Sequence, residues 1–165
     1  MVRNCVALER LPLDSNGGGL GTLRPHVRCV IDFTQLKVWR KAHVLTLDVY
    51  RATSGELRHD RALSSQARRA AASVTTNIVE GYGAASQGEL ARFLQIALSS
   101  ATELEYHLLL SHDLTYLEQT RYEQLRSQVQ EVKRMLTGFL RTVRAREMKR
   151  QRDVRAQTVS LTTDT

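Results

Sequence analysis

The chain is poor in the residues that announce the common site chemistries. Only two cysteines, Cys5 and Cys29, stand among 165 residues, without CxxC spacing and with no histidine at ligand spacing. A zinc knuckle and a disulfide framework are both excluded by that pattern, and free thiols in a reducing cytosol are the expectation. Prolines are also scarce, at two, while the composition is 42% hydrophobic and 25% charged. That balance describes a soluble helical protein rather than a disordered one. No run approaches the roughly 20 apolar residues that span a bilayer. Glu9 and Arg10 interrupt any signal-peptide core near the start, so a cytoplasmic location with no membrane association is expected.

What the chain does have is positive charge. Its 24 basic and 17 acidic residues give a formal net charge of +7. Residues 144–165 hold six basic and three acidic residues, an excess of +3 in a short segment. Such a balance favours nucleic acid or an acidic protein surface as partner. Residues 1–32 include "DSNGGGLGTLRP", which follows neither hydrophobic period, and are read as a flexible leader outside the fold.

From Phe33 onward the pattern turns helical four times. Leu36, Trp39, Ala42, Leu45, Val49 and Ala52 recur at steps of three and four, with Thr34 as N-cap and Ser54-Gly55 as stop. A second stripe runs through Leu63, Ala67, Ala70, Val74 and Ile78 to Gly81, and a third from Ser86 through Leu90, Leu94, Ala97, Ala101, Leu104 and Leu108. The fourth, Tyr122, Leu125, Val129, Val132, Leu136, Phe139 and Val143, alternates three and four as a knobs-into-holes seam does. An all-α, antiparallel up-down-up-down four-helix bundle over residues 33–143 follows, with 144–165 as a basic helix extension and disordered tail. The run Ala70-Ala71-Ala72-Ser73 is wider than one buried stripe requires. Part of it, Ala71 or Ala72, is therefore expected to face a neighbouring subunit.

The corner "TNIVEGYGAASQGEL" raises the question of a phosphate loop, which would need a preceding strand and a GxxxxGK[ST] or GxGxxG run. Both are missing. Gly81 is expected to close the second helix in the left-handed conformation, and Ser86 with Glu89 forms a capping box for the third. Asn77 and Glu80 share a polar edge with Gln66, Arg69 and Ser73. Either Glu80 pairs with Arg69 or Arg92 and Asn77 ties the helix end to the next turn, or the stripe lies at a subunit contact.

Catalytic patterns are missing as well. A di-iron bundle needs Glu-x-x-His on two helices with further inward carboxylates, and that pair is not supplied. Glu103 and His107 stand four residues apart without second-helix partners, the arrangement of a solvated or hydrogen-bonded couple rather than a metal site. The arginine-to-histidine spacing of helical ribonucleases does not occur, and no serine, histidine and carboxylate set is marked locally. Trp39 and Phe93 fall on core stripes. Neither catalytic residues nor a metal or cofactor are expected.

The run "LSSQARRAAASVTTNIVEGYGAASQGELARFLQIALSSATELEYHL" and the upstream "DFTQLKVWRKAHVLTLDVYRAT" resemble the four-helix-bundle proteins of 23S ribosomal RNA intervening sequences. The likeness covers about Asp32 to Arg144. It implies a left-handed bundle assembling as a ring-like homopentamer. It also implies kinship with accessory variability proteins of diversity-generating retroelements, which bind nucleic acid and partner a reverse transcriptase. Arg68 and Arg69 match the family's paired arginines; Asn77, Glu80 and Gly81 its Asn-Ile-x-Glu-Gly element; Glu103 its helix-three glutamate. Ala84 stands where a basic residue is common, and Ser99-Ser100 where Gly-Ser is usual.

Two binding roles follow as expectations. In one, Arg40, Lys41, Arg68, Arg69, Arg144, Arg146, Lys149 and Arg150 neutralise phosphates of RNA or DNA with little base specificity. In the other, the oligomer is a protein scaffold with a partner such as a reverse transcriptase.

Overall fold

The computed structural model describes residues 32–55 and 60–163, with side chains through residue 155. The leader and both cysteines lie outside the described residues. A 3-10 turn (Phe33–Gln35) precedes α1 (Lys37–Ser54), α2 (Arg61–Tyr82), α3 (Gln87–Asp113) and α4 (Gln119–Thr163), and no strand occurs among the described residues.

The helix partners fix the topology. Between α1 and α2, Thr46 Oγ1 donates to the Ala71 carbonyl at 3.0 Å and Arg68 Nε to Thr53 Oγ1 at 2.7 Å. Residue numbers rise on one helix as they fall on the other, so the pair is antiparallel. Ser73 with Ser100 does the same for α2 and α3 when taken with the Gly81–Phe93 approach, and Lys133–Glu105 with Arg144–Gln95 does so for α3 and α4. Lys41–Glu131 and Asp48–Gln128 close the ring of neighbours between α4 and α1. This is the expected four-helix bundle, with α1 diagonal to α3.

Its core is aliphatic. Leu45, Val49, Val74, Ile78, Leu94, Leu104, Leu108, Leu125, Val129 and Leu136 are almost wholly covered. Each such side chain contributes roughly 1.5–3 kcal/mol relative to exposure, so this seam dominates the stability. Among the described residues the last buried position on α4 is Val143, one step after Leu140, which takes the inward place expected of Phe139. At that level the helix follows a 3.6-residue period rather than a strict heptad, so the inward direction has drifted by one residue. Trp39 borders the core rather than filling it, held edge-on by Phe33 at 5.0 Å and stacked on His43 at 4.8 Å.

Several helix ends differ from the sequence expectation. Leu36, not Thr34, is the N-cap of α1, because the 3-10 turn takes up residues 33–35. Gly81 is not a left-handed stop. It lies inside α2, which runs on to Tyr82, and a Cβ there would sit 2.9 Å from Phe93 Cβ and 3.2 Å from Leu90 Cδ1. The glycine is needed for close helix approach, not for a turn. Ser86 caps α3 as expected, accepting from the Glu89 amide at 3.1 Å, while the Glu89 carboxylate reaches one residue further back, to the Ala85 amide. The bend after α3 contains no glycine. Thr115 takes φ 60°, with its amide on the His112 carbonyl and that of Tyr116 on the Ser111 carbonyl, the Schellman pattern.

The alanine run also behaves differently. Ala70 and Ala71 are 2% and 0% exposed, and α2 uses two adjacent small-residue stripes because it packs against both α1 and α3. Ala71 is a core residue of the single chain, and of the two alanines expected at a subunit contact only half-buried Ala72 reaches the surface.

Candidate nucleic-acid interface

The nominated cations divide by what already holds them. Arg40 is exposed, yet its guanidinium donates to the Thr34 carbonyl and, at 2.7 Å, to Gln35 Oε1, tying α1 to the turn before it. Lys41 pairs with Glu131 at 3.0 Å. Arg68 bridges to Thr53 and Ser54 at the end of α1 and covers the Tyr50 ring. Arg144 donates to Gln95 at 3.0 Å. These four have structural work within the chain.

Arg69, Arg146, Lys149 and Arg150 stand apart, with no ion pair or hydrogen bond of their side chains among the described residues. Arg69 is an exposed residue of α2. The others lie on α4 after Val143, joined by exposed Arg152 and Arg155 and interrupted by Glu147 and Asp153. The structure therefore gathers half of the nominated cations on one projecting helix and disperses the rest.

Of the family-motif residues, Asn77 and Gly81 sit at the α2–α3 seam. Asn77 Nδ2 donates to the Ser73 carbonyl at 2.8 Å and contacts Ser73 Oγ at 3.1 Å, and Ser73 in turn meets the buried Ser100 hydroxyl at 2.8 Å. Asn77 thus ties back along its own helix rather than to the next turn. Glu80 is exposed and pairs with neither Arg69 nor Arg92, whose guanidinium lies 4.8 Å from the Phe93 ring centroid. Glu103 is exposed, 3.6 Å from His107 Nε2. No group of three or more potential metal ligands is gathered among the described residues.

Two polar centres lay outside the sequence reading. Asp48, only 9% exposed, accepts from Arg51 at 3.0 Å and from Gln128 at 2.9 Å, while Arg121 donates to its carbonyl at 3.0 Å. Burial pushes its carboxyl upward, but the hydrogen bonds from Gln128 and Arg51 and the charges of Arg121 and Arg51 outweigh this and hold it below its ordinary value. Glu105 is also held low, chiefly by the hydrogen bond from Lys133 at 2.6 Å, against the opposing effect of burial. The signal for Asp48 was present: a carboxylate at the inward step between Leu45 and Ala52. Its partners on α4 carried none.

Residues 34–138 match the family described as 23S rRNA-intervening sequence protein. The chain belongs to this family. A solved structure from Bacteroides thetaiotaomicron VPI-5482, described as a protein with unknown function from the S23 ribosomal protein family, is 26% identical with a TM-score of 0.59. The likeness covers 62% of this chain and 97% of that one. No curated protein matches the chain. The 23S rRNA-intervening sequence match takes in Asn77, Glu80, Gly81 and Glu103 but ends before Arg144, so the projecting basic helix lies beyond the matched region. Among the described residues no helix is long and apolar enough to cross a membrane.

Proposed function

We propose that this chain is a non-enzymatic, homo-oligomeric bundle that binds nucleic acid, and that residues 144–155 of α4 carry the larger part of that binding. The observation that supports this most is the set of uncommitted cations there: Arg146, Lys149, Arg150, Arg152 and Arg155 are exposed on one helix with no carboxylate partner among the described residues. An array of solvated guanidinium and ammonium groups neutralises phosphates and reads no sequence. RNA and duplex DNA both offer such a backbone.

Oligomerisation finds its support on faces other than the alanine run. Val44, Leu47 and Tyr50 on α1 are 50%, 41% and 43% exposed, and Tyr106 and Leu109 on the diagonal helix α3 are 59% and 42% exposed. Two apolar faces on opposite sides of one chain suit a head-to-tail ring, in which each copy offers one face to each neighbour. The five-subunit number is carried over from the resemblance alone.

A second reading is a protein scaffold with a partner such as a reverse transcriptase. Exposed Met148 and Val154, set among the α4 cations, favour it, since apolar side chains gain nothing from a phosphate backbone. The deciding experiment is binding of the purified chain to structured RNA and to duplex DNA across a salt series, with the mass recorded in the same buffers. A steep loss of affinity with salt by an intact oligomer is expected. No binding at low salt would move the assignment to the scaffold.

A further inference from the structure

Where α1 ends and α2 begins, an open groove of about 770 Å³ is walled by three arginines and several hydroxyls. Arg68 is fixed in its wall, with Nε donating to Thr53 Oγ1 at 2.7 Å, Nη2 to Ser54 Oγ at 3.0 Å, and Cζ 5.2 Å from the Tyr50 ring centroid. Neutral hydroxyls orient this guanidinium without cancelling its charge. Arg61 and Arg69, two turns apart on α2 with Ser65 between them, line the same groove, and their side chains have no partner among the described residues.

No described lining residue is acidic. The carboxylate beside Arg61, Asp60, is turned to the Leu63 amide as the cap of α2. By contrast, Lys41, Arg51 and Lys133 have counterions in Glu131, Asp48 and Glu105. Three guanidinium groups lining one groove with no anion among its described residues repel one another, and a doubly charged ligand relieves that repulsion more than a singly charged one. The planar fork of arginine fits the oxygens of a phosphate two at a time.

We propose that this groove binds a phosphate monoester, the dianionic end group of a nucleic-acid strand or of a free nucleotide. A backbone diester carries one charge and continues on both sides; a terminal monoester carries close to two and presents three free oxygens. The groove is at the end of the bundle where α4 begins, opposite to the end from which basic α4 projects, because α2 and α4 run parallel. Its ligand is therefore separable from phosphates held along residues 144–155. The proposal rests on the nucleic-acid reading only for the strand as source of the phosphate.

The test uses the full chain and a short single strand bearing either a 5′-phosphate or a 5′-hydroxyl, with a nucleoside 5′-monophosphate and its nucleoside titrated separately. The phosphorylated strand is expected to bind about tenfold tighter than the hydroxyl strand, and the monophosphate but not the nucleoside to bind. Arg61→Gln with Arg69→Gln, two exposed positions, should abolish that preference, bringing the phosphorylated strand down to the affinity of the hydroxyl strand measured on the same variant. Arg146→Gln, Lys149→Gln and Arg150→Gln together should weaken both strands equally and keep their ratio. A strand that binds more tightly than the monophosphate identifies the strand end as ligand, and the reverse order identifies the free nucleotide. If neither strand binds but the monophosphate does, and only with Arg61 and Arg69 intact, the nucleic-acid reading fails and the groove stands. Equal strands with no monophosphate binding, or a preference that survives the double substitution, would overturn the proposal.

Discussion

The two parts of α4 share one unbroken helix and almost nothing else. From Gln119 to Val143 an apolar residue returns every three or four positions and is buried, and several polar residues between them reach neighbours: Arg121 and Gln128 to Asp48, Lys133 to Glu105, Glu131 to Lys41. After Val143 the same inward direction meets Glu147 and then Val154, which is 55% exposed. The helix persists while its packing face ends. Continuity of backbone is thus no guide to the limits of the folded core, whereas the absence of buried partners is. It leaves the cations of the distal part free for something outside the chain.

That comparison is broken most strongly by substitution within the proximal part. Leu136→Ala should lose about 2–5 kcal/mol, since Leu136 is fully buried, while Val154→Ala should fall within about 0.5 kcal/mol. Chemical denaturation of the two variants checks this. Equal losses would mean that the distal part is packed as well.

Asp48→Ala comes next, at roughly 1–3 kcal/mol, because it strips the acceptors from Gln128 and Arg51 and weakens the α1–α4 tie. The pH dependence has a defined sign. Asp48 and Glu105 are held below their ordinary values of 3.8 and 4.5, so the folded chain gives up these protons more readily than the unfolded one. The stability they confer is complete above those values and is lost as pH falls through the lower folded values. Thermal melts should therefore show an acid limb below about pH 4.5, shallower in Asp48→Ala than in the parent chain. An unchanged limb would remove Asp48 from the account.

A smaller effect sits at the surface. Lys41→Ala breaks an ion pair whose side chains are 55% and 40% exposed, and a loss under about 1 kcal/mol that shrinks further in high salt is expected. A larger or salt-insensitive loss in denaturation would show that Lys41 does more than pair with Glu131.

The bundle itself was legible in the sequence because the aliphatic stripes of α2, α3 and proximal α4 are long and regular. Leu94, Leu104, Val129 and Leu136 all fall where the spacing put them. What periodicity could not tell is which polar groups answer one another across helices. Asp48 and Gln128 are 80 positions apart, and their meeting depends on a register that no local pattern sets. The same reason left Arg40, Lys41 and Arg68 indistinguishable in sequence from Arg146 and Lys149. Gly81 was misread for a related cause, since a glycine near a helix end suits either a left-handed stop or a close approach. Only the position of Phe93 tells the two apart.

The smallest structural effect should accompany the largest functional one. Replacing Arg146, Lys149 and Arg150 together by glutamine should leave the melting curve nearly unchanged, as these side chains have no partners among the described residues. The most direct measurement is then the salt dependence of RNA and duplex DNA affinity for this triple variant beside the parent chain. The account predicts weaker binding to both and a slope on logarithmic axes reduced by about one for each phosphate that is no longer neutralised, up to about three. An unchanged affinity and slope in a fully folded variant would contradict it.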